Sequence, residues 1–217
     1  MAITLGSAGI TFSDATSQSS VYNSDLGIPI SIISFSSTGT YTVPANSTRI
    51  FVQLVGGGGG SAGYLESGGA GGYAEGMFSV TPNTAYTVTI GGGGGGVGYY
   101  AGAGVGGTTS FGSLLSATGG YGANNNYSHG GGIGGIGSGG QINLYGGSGT
   151  GHGNSASHAQ ANGGGGSFFG GPGGKTRSND GANFGPAYGS GAPGSITDIG
   201  TTGCAAPGGV CVIIAYT

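Results

Sequence analysis

Arg49-Ile-Phe-Val-Gln-Leu-Val55 runs directly into Gly56-Gly-Gly-Gly-Gly60, and the fold turns on how these two halves join. The first half alternates Ile50, Val52 and Leu54 with Phe51, Gln53 and Val55. Both sets are mostly apolar, which predicts a strand buried on two sides. The second half has no side chains at all. Four glycines precede residue 56 and four follow residue 194, so the other 52 of the 60 fall in the stretch between. The chain therefore has an ordinary start, a glycine-dominated middle and a short ordinary end.

Outward from residues 49–55, the ordinary parts read as strands. Residues 73–80 and 85–90 flank Thr81-Pro-Asn-Thr84, and two β-rich runs about a Pro-Asn turn predict a hairpin. In its second arm Tyr86, Val88 and Ile90 face one way and Thr87 and Thr89 the other. Residues 108–118 read as a strand broken near Gly112. Gly209-Val-Cys-Val-Ile-Ile-Ala-Tyr216 reads as a closing strand inside a sheet, and residues 28–35 and 39–43 as further strands. No helical period of useful length occurs. The class is all-β.

Ordering glycine costs more backbone entropy than ordering any other residue, which makes a mobile linker the default reading of the middle. Three features oppose it. Serine is sparse in the tracts. Ile133, Ile136, Ile142, Leu144, Phe168 and Phe169 interrupt them. The flanking strands require the tracts to start and finish on one body. The packed alternative is a bundle of polyglycine II helices, three residues per turn, paired laterally through backbone N–H and C=O groups. Residues 56–60, 91–96 and 163–166 each supply one to two turns. The spacing of three between Ile133 and Ile136 stacks both on one edge of such a helix. The expected architecture is a small, jelly-roll-like β-sandwich framing that bundle.

Charge narrows function. Only 4% of the 217 residues are charged. With Arg49, Lys175 and Arg177 as the only cations and a net charge of −3, a nucleic-acid surface is not expected. No apolar run is long enough for a membrane-spanning helix. The N-terminal residues lack the basic region and apolar core of a signal peptide. Six acids and three histidines show no convergent spacing, so neither catalysis nor a metal site is expected; His152 and His158, six apart, have no carboxylate between them. Gly102-Ala-Gly-Val-Gly-Gly107 spells a dinucleotide motif, but no helix follows to hold a phosphate. No cofactor is expected. Cys204 and Cys211 could pair, although a small buried Cys211 in a strand is the simpler reading.

Aromatic residues beside polar ones are the better binding candidates, because tyrosine offers contact area at low entropic cost. Three groups stand out: Tyr99 and Tyr100; Asn124, Asn125, Asn126, Tyr127 and His129; and Phe168 and Phe169 with Lys175, Arg177, Asn179 and Asp180. The competing reading has the aromatics plug the ends and edges of the glycine bundle.

Gly39-Thr-Tyr-Thr-Val-Pro-Ala45 with residues 49–60, the segment 71–92, Gly107-Thr-Thr-Ser-Phe-Gly112, Ser116-Ala-Thr-Gly-Gly120, Gly191-Ala-Pro-Gly194 and the closing strand resemble a glycine-rich domain of bacteriophage tail-fibre and adhesin proteins. The resemblance spans roughly residues 36–217. Residues 3–19 are similar to a segment common in phage fibres, with Ala15 in place of its usual glycine. These resemblances imply a head domain, residues 36–217, whose loops contact a bacterial surface polysaccharide or outer-membrane protein without catalysis. They imply an arm, residues 1–35, that joins other tail or capsid proteins and supports a homotrimer. The apolar run Ile28, Ile30, Ile32, Ile33 and Phe35 fits burial against further copies. Such a protein is made in the host cytoplasm and resides on the virion. A purely structural virion protein is the alternative, and a secreted ice-binding or matrix protein a more distant one.

Overall fold

A computed structural model describes residues 27–62, 66–98, 101–124, 130–151, 163–171, 187–194 and 203–217, and the backbone of residues 3–6, 9–12 and 17–18. In chain order its strands are β1 (Ile3–Gly6), β2 (Gly9–Phe12), β3 (Ser17–Gln18), β4 (Pro29–Phe35), β5 (Gly39–Thr42), β6 (Arg49–Val55), β7 (Tyr73–Ser79), β8 (Ala85–Thr89), β9 (Thr109–Phe111), β10 (Leu115–Ala117), β11 (Gly137–Ser138), β12 (Ile142–Leu144) and β13 (Val210–Tyr216). There is no helix among the described residues. Strands β1 to β3 form a small antiparallel sheet. The rest form two five-stranded antiparallel sheets, in the orders β11-β10-β9-β8-β5 and β12-β7-β6-β13-β4. Pro29–Phe35, the last seven residues of the expected arm, pair along β13 as an edge strand.

The two sheets meet over one core. Tyr41, Val88, Phe111 and Leu115 from the first sheet pack with Ile50, Val52, Leu54 and Ile213 from the second. Alternation explains why: every second residue of β6 and of β13 points inward, and those residues are apolar. The outward set of β6 is different. Arg49, Phe51 and Gln53 are only half-buried while Val55 is fully buried, so this strand is covered on both faces only where it runs into the glycine segment.

The expected hairpin does not form. Strand β7 lies in one sheet, between β6 and β12, while β8 lies in the other, between β9 and β5. Both edges of β7 are already taken, so residues 81–84 carry the chain from sheet to sheet. Their backbone is tied to neighbouring strand ends: Asn83 N–H donates to Val43 O at 2.9 Å and Val43 N–H to Thr84 O at 2.9 Å. Asn83 has φ of 61°, a left-handed conformation that asparagine tolerates and β-branched residues do not. Asn83→Val is expected to lower stability by about 1–2 kcal/mol, and Asn83→Gly to leave it nearly unchanged, in urea unfolding. The true hairpin of this region joins β9 to β10 through Gly112, at φ of 50°.

Both cysteines are buried and free. Cys211 faces the core from β13, where burial pushes its thiol up to about 12.

Candidate functional site

The glycine segments are continuations of the sandwich strands. Residues 56–62 leave β6 and residues 66–72 enter β7. Residues 91–97 leave β8 and 102–108 enter β9. Residues 118–124 leave β10 and 130–136 enter β11. Residues 145–151 leave β12, and 203–209 enter β13.

Between them the hydrogen bonds repeat every three residues. In segment 56–62 the N–H groups of residues 56, 59 and 62 donate to the carbonyls of Gly72, Gly69 and Glu66. Those of 57 and 60 donate to Gly107 and Gly104, and those of 58 and 61 to Pro207 and Cys204. The carbonyls follow the same rule. Those of 57 and 60 accept from Gly120 and Ala123, those of 58 and 61 from Gly94 and Val97, and that of 59 from Ala192. All these bonds are 2.8–3.2 Å long. One segment is therefore bonded to six others, whereas a sheet strand has two neighbours. Segment 66–72 repeats the pattern: 67 and 70 donate to Thr150 and Gly147, 68 and 71 to Ala192 and Gly189, and 69 and 72 to Tyr121 and Thr118. Every buried amide of these central segments thus has a partner although no sheet is present.

Such packing needs the absence of Cβ. A Cβ on Gly57 would meet the carbonyl of Gly92 closer than 3.0 Å, and one on Gly59 that of Tyr121. The bulky side chains Val105, Tyr121, Ile133 and Ile136 on outer segments are all exposed, whereas only small ones such as Ala123 and Ala192 are buried.

The ends of the segments farthest from the sheets form a common layer. There Ala62 N–H donates to Glu66 O, Gly203 N–H to Val97 O, and Asn124 N–H to Gly130 O. Ser67 Oγ donates to Thr150 O at 2.9 Å and to Gly163 O at 3.0 Å. This layer contains the described residues that border positions 63–65, 99–100, 125–129, 152–162 and 195–202.

Of the candidate binding residues, the structure describes three. Asn124 is exposed in this end layer. Phe168 and Phe169 are elsewhere, against the first residue of β7. Phe168 stacks on Tyr73 at a centroid distance of 3.7 Å, and Phe169 meets Tyr73 edge-on at 5.6 Å. The Tyr73 hydroxyl donates to Glu75 Oε2, and Gln53 Nε2 donates to both groups. Burial and the Glu75 carboxylate raise the Tyr73 hydroxyl far above its ordinary range. Phe168 and Phe169 thus pack on Tyr73 at the junction between sheet and glycine segments, with Phe168 itself 55% exposed. Tyr99, Tyr100, Asn125, Asn126, Tyr127, His129, Lys175, Arg177, Asn179 and Asp180 lie outside the described residues.

Glu66 was not singled out by sequence. It is fully buried in the end layer, and desolvation pushes its carboxyl up to about 7. A lone acid in a glycine stretch has no motif that would mark it. Among the described residues no three His, Cys, Asp or Glu side chains converge on a metal-sized site.

Residues 34–215 match a family described as a glycine-rich domain. No curated protein matches the chain.

Proposed function

The chain belongs to the glycine-rich domain family, and on that premise we propose that it is a non-catalytic adhesin of a phage virion, a homotrimeric fibre protein whose glycine-rich head presents loops to a host cell surface. The observation that carries this reading is the common end layer. Five separate interruptions of the glycine segments are bordered by residues of that one layer, and two of them contain Tyr99-Tyr100 and Asn125-Asn-Tyr-Ser-His129. A rigid base with variable loops at one end suits recognition, because loop changes leave the base intact.

In this reading the segments are polyglycine II helices. The three-residue hydrogen-bond repeat and the six neighbours of segment 56–62 support that assignment. At a rise of about 3.1 Å per residue, that segment places its far end, Ala62, roughly 19 Å from the sheets. A polysaccharide or an outer-membrane protein is the receptor class, since Asn, Tyr and His offer both stacking and hydrogen bonding. The part of the 1–35 arm that precedes β4 joins the head to the particle.

The test is binding of the fluorescently labelled full chain to susceptible cells. Tyr99→Ala with Tyr100→Ala is expected to reduce binding at least tenfold with the melting temperature unchanged. Wild-type protein that labels no host cell would overturn the adhesin reading and favour a structural virion role.

A further inference from the structure

The registers of the second sheet place one apolar row across its outer face. Met77 of β7 sits opposite Phe51 of β6, Phe51 opposite Ile214 of β13, and Ile214 opposite Ile32 of β4. The core residues of these strands are the alternate ones, so this row faces away from the sandwich. Among the described residues nothing covers it: Met77 is 42% and Ile32 68% exposed, and Phe51 and Ile214 are only half-buried. The row ends at β4, which pairs with β13 on one side and with no strand among the described residues on the other. An open strand edge joined to an apolar face is a combination that soluble monomers avoid.

We infer that this face is where copies of the chain meet in the homotrimer, an assignment that rests on the oligomeric part of the reading above. Three features point to another copy of the chain as the occupant. Ile30, Ile32, Met77, Ile142 and Leu144 share this face and are each 36–68% exposed, an apolar surface on the scale of one side of a small specific interface. The charges that bracket the row are opposite in sign. Arg49 lies two residues from Phe51 on β6, and Glu75 two residues from Met77 on β7, so copies related by rotation can set Arg49 of one against Glu75 of the next. Finally, the preceding 28 residues of the chain lead into β4, so an interface on this face brings the arms of all copies together, as a shared attachment needs.

Light scattering on the eluted full chain tests the assignment. Wild-type protein is expected at the mass of three chains. Ile32→Asp and Met77→Lys, each on an exposed side chain, are expected to give monomers at micromolar concentration, with thermal melts by circular dichroism close to wild type. Val105→Asp, exposed on the glycine segments, is expected to remain trimeric. Ile32→Cys in the otherwise native chain is expected to give covalent multimers with a short bismaleimide, a readout independent of whether the charged variants fold. A trimer that survives Ile32→Asp and Met77→Lys, or that yields no Ile32→Cys cross-link, overturns the assignment of this face and leaves the trimer standing. A monomeric wild type overturns both.

Discussion

Gly59→Ala is expected to prevent folding of the head, while Gly95→Ala leaves it intact or slightly more stable. A methyl group on Gly59 would meet the carbonyl carbon and oxygen of Tyr121 and the oxygen of Gly120, all closer than 3.0 Å. These are backbone atoms of a neighbouring segment, so no side chain can rotate away. That neighbour is itself fixed, because Tyr121 N–H donates to Ile133 O and Tyr121 O accepts from Gly69. Overpacking a core of movable side chains costs about 1–3 kcal/mol. Displacing a bonded backbone adds about 1 kcal/mol for each hydrogen bond lost, and several are at stake. A total on the order of 5 kcal/mol equals the whole stability of many domains. Gly95 belongs to an adjoining segment, and a methyl group there meets nothing within 4 Å. Replacing that glycine removes unfolded-state entropy and is expected to stabilise by about 0.4–1 kcal/mol. Soluble yield and guanidinium unfolding of the two variants check both claims. Equal stability of Gly59→Ala and wild type would mean that the segments are not packed at backbone contact.

The contrast between these two glycines also shows what a sequence carries about this fold. Strands β4, β5, β6, β8 and β13 are legible because side chains alternate along them, and the pattern lies within each strand. Pairing is not local. The turn at residues 81–84 has the composition of a hairpin, yet β7 has β12 on the edge that β8 would need. Nothing within residues 73–90 records that competition, which is decided by residues 142–144. The glycine segments are the extreme case. Segment 56–62 bonds to residues between 66 and 207, and identical residues give no register by which those partners could be recognised. The three-residue step was legible only where side chains mark it, at Ile133 and Ile136, and both are exposed on an outer segment. The candidate site divides in the same way. Asn124 lies at an end, where polar loop composition suggested binding. Phe168 stands near polar residues in the sequence, and its ring also stacks on Tyr73, ninety-five positions earlier in the chain. Aromatic stacking of that kind leaves no mark on local sequence.

Glu66→Gln is expected to stabilise the protein at pH 8 and to have little effect at pH 4. The Glu66 carboxyl is fully buried, and desolvation favours its protonated form, so that it titrates at about 7 when folded instead of at 4.5. Below pH 4.5 the folded and unfolded chains both hold the proton, and the buried acid imposes no ionisation penalty. Between pH 4.5 and 7 the unfolded chain gives up this proton while the folded chain keeps it. Stability therefore falls as pH rises through that window and is flat above it. The full shift corresponds to about 3 kcal/mol, and screening by nearby solvent reduces it to roughly 2 kcal/mol. Glutamine has nearly the same shape and no charge, so it removes the pH-dependent part of the cost and little else. Urea unfolding at pH 4, 6 and 8 measures it: the variant should gain on wild type with each step toward neutrality, and a gap independent of pH would show that Glu66 is not desolvated. The effect is centred on the end layer, because Glu66 O accepts from Ala62 N–H where the two central segments meet. Ionising the carboxyl strains the end of those segments before the sandwich, whose core contains no acid, so amide exchange in wild type at pH 8 should rise first at Ala62 and Ser67 and last in β6 and β13.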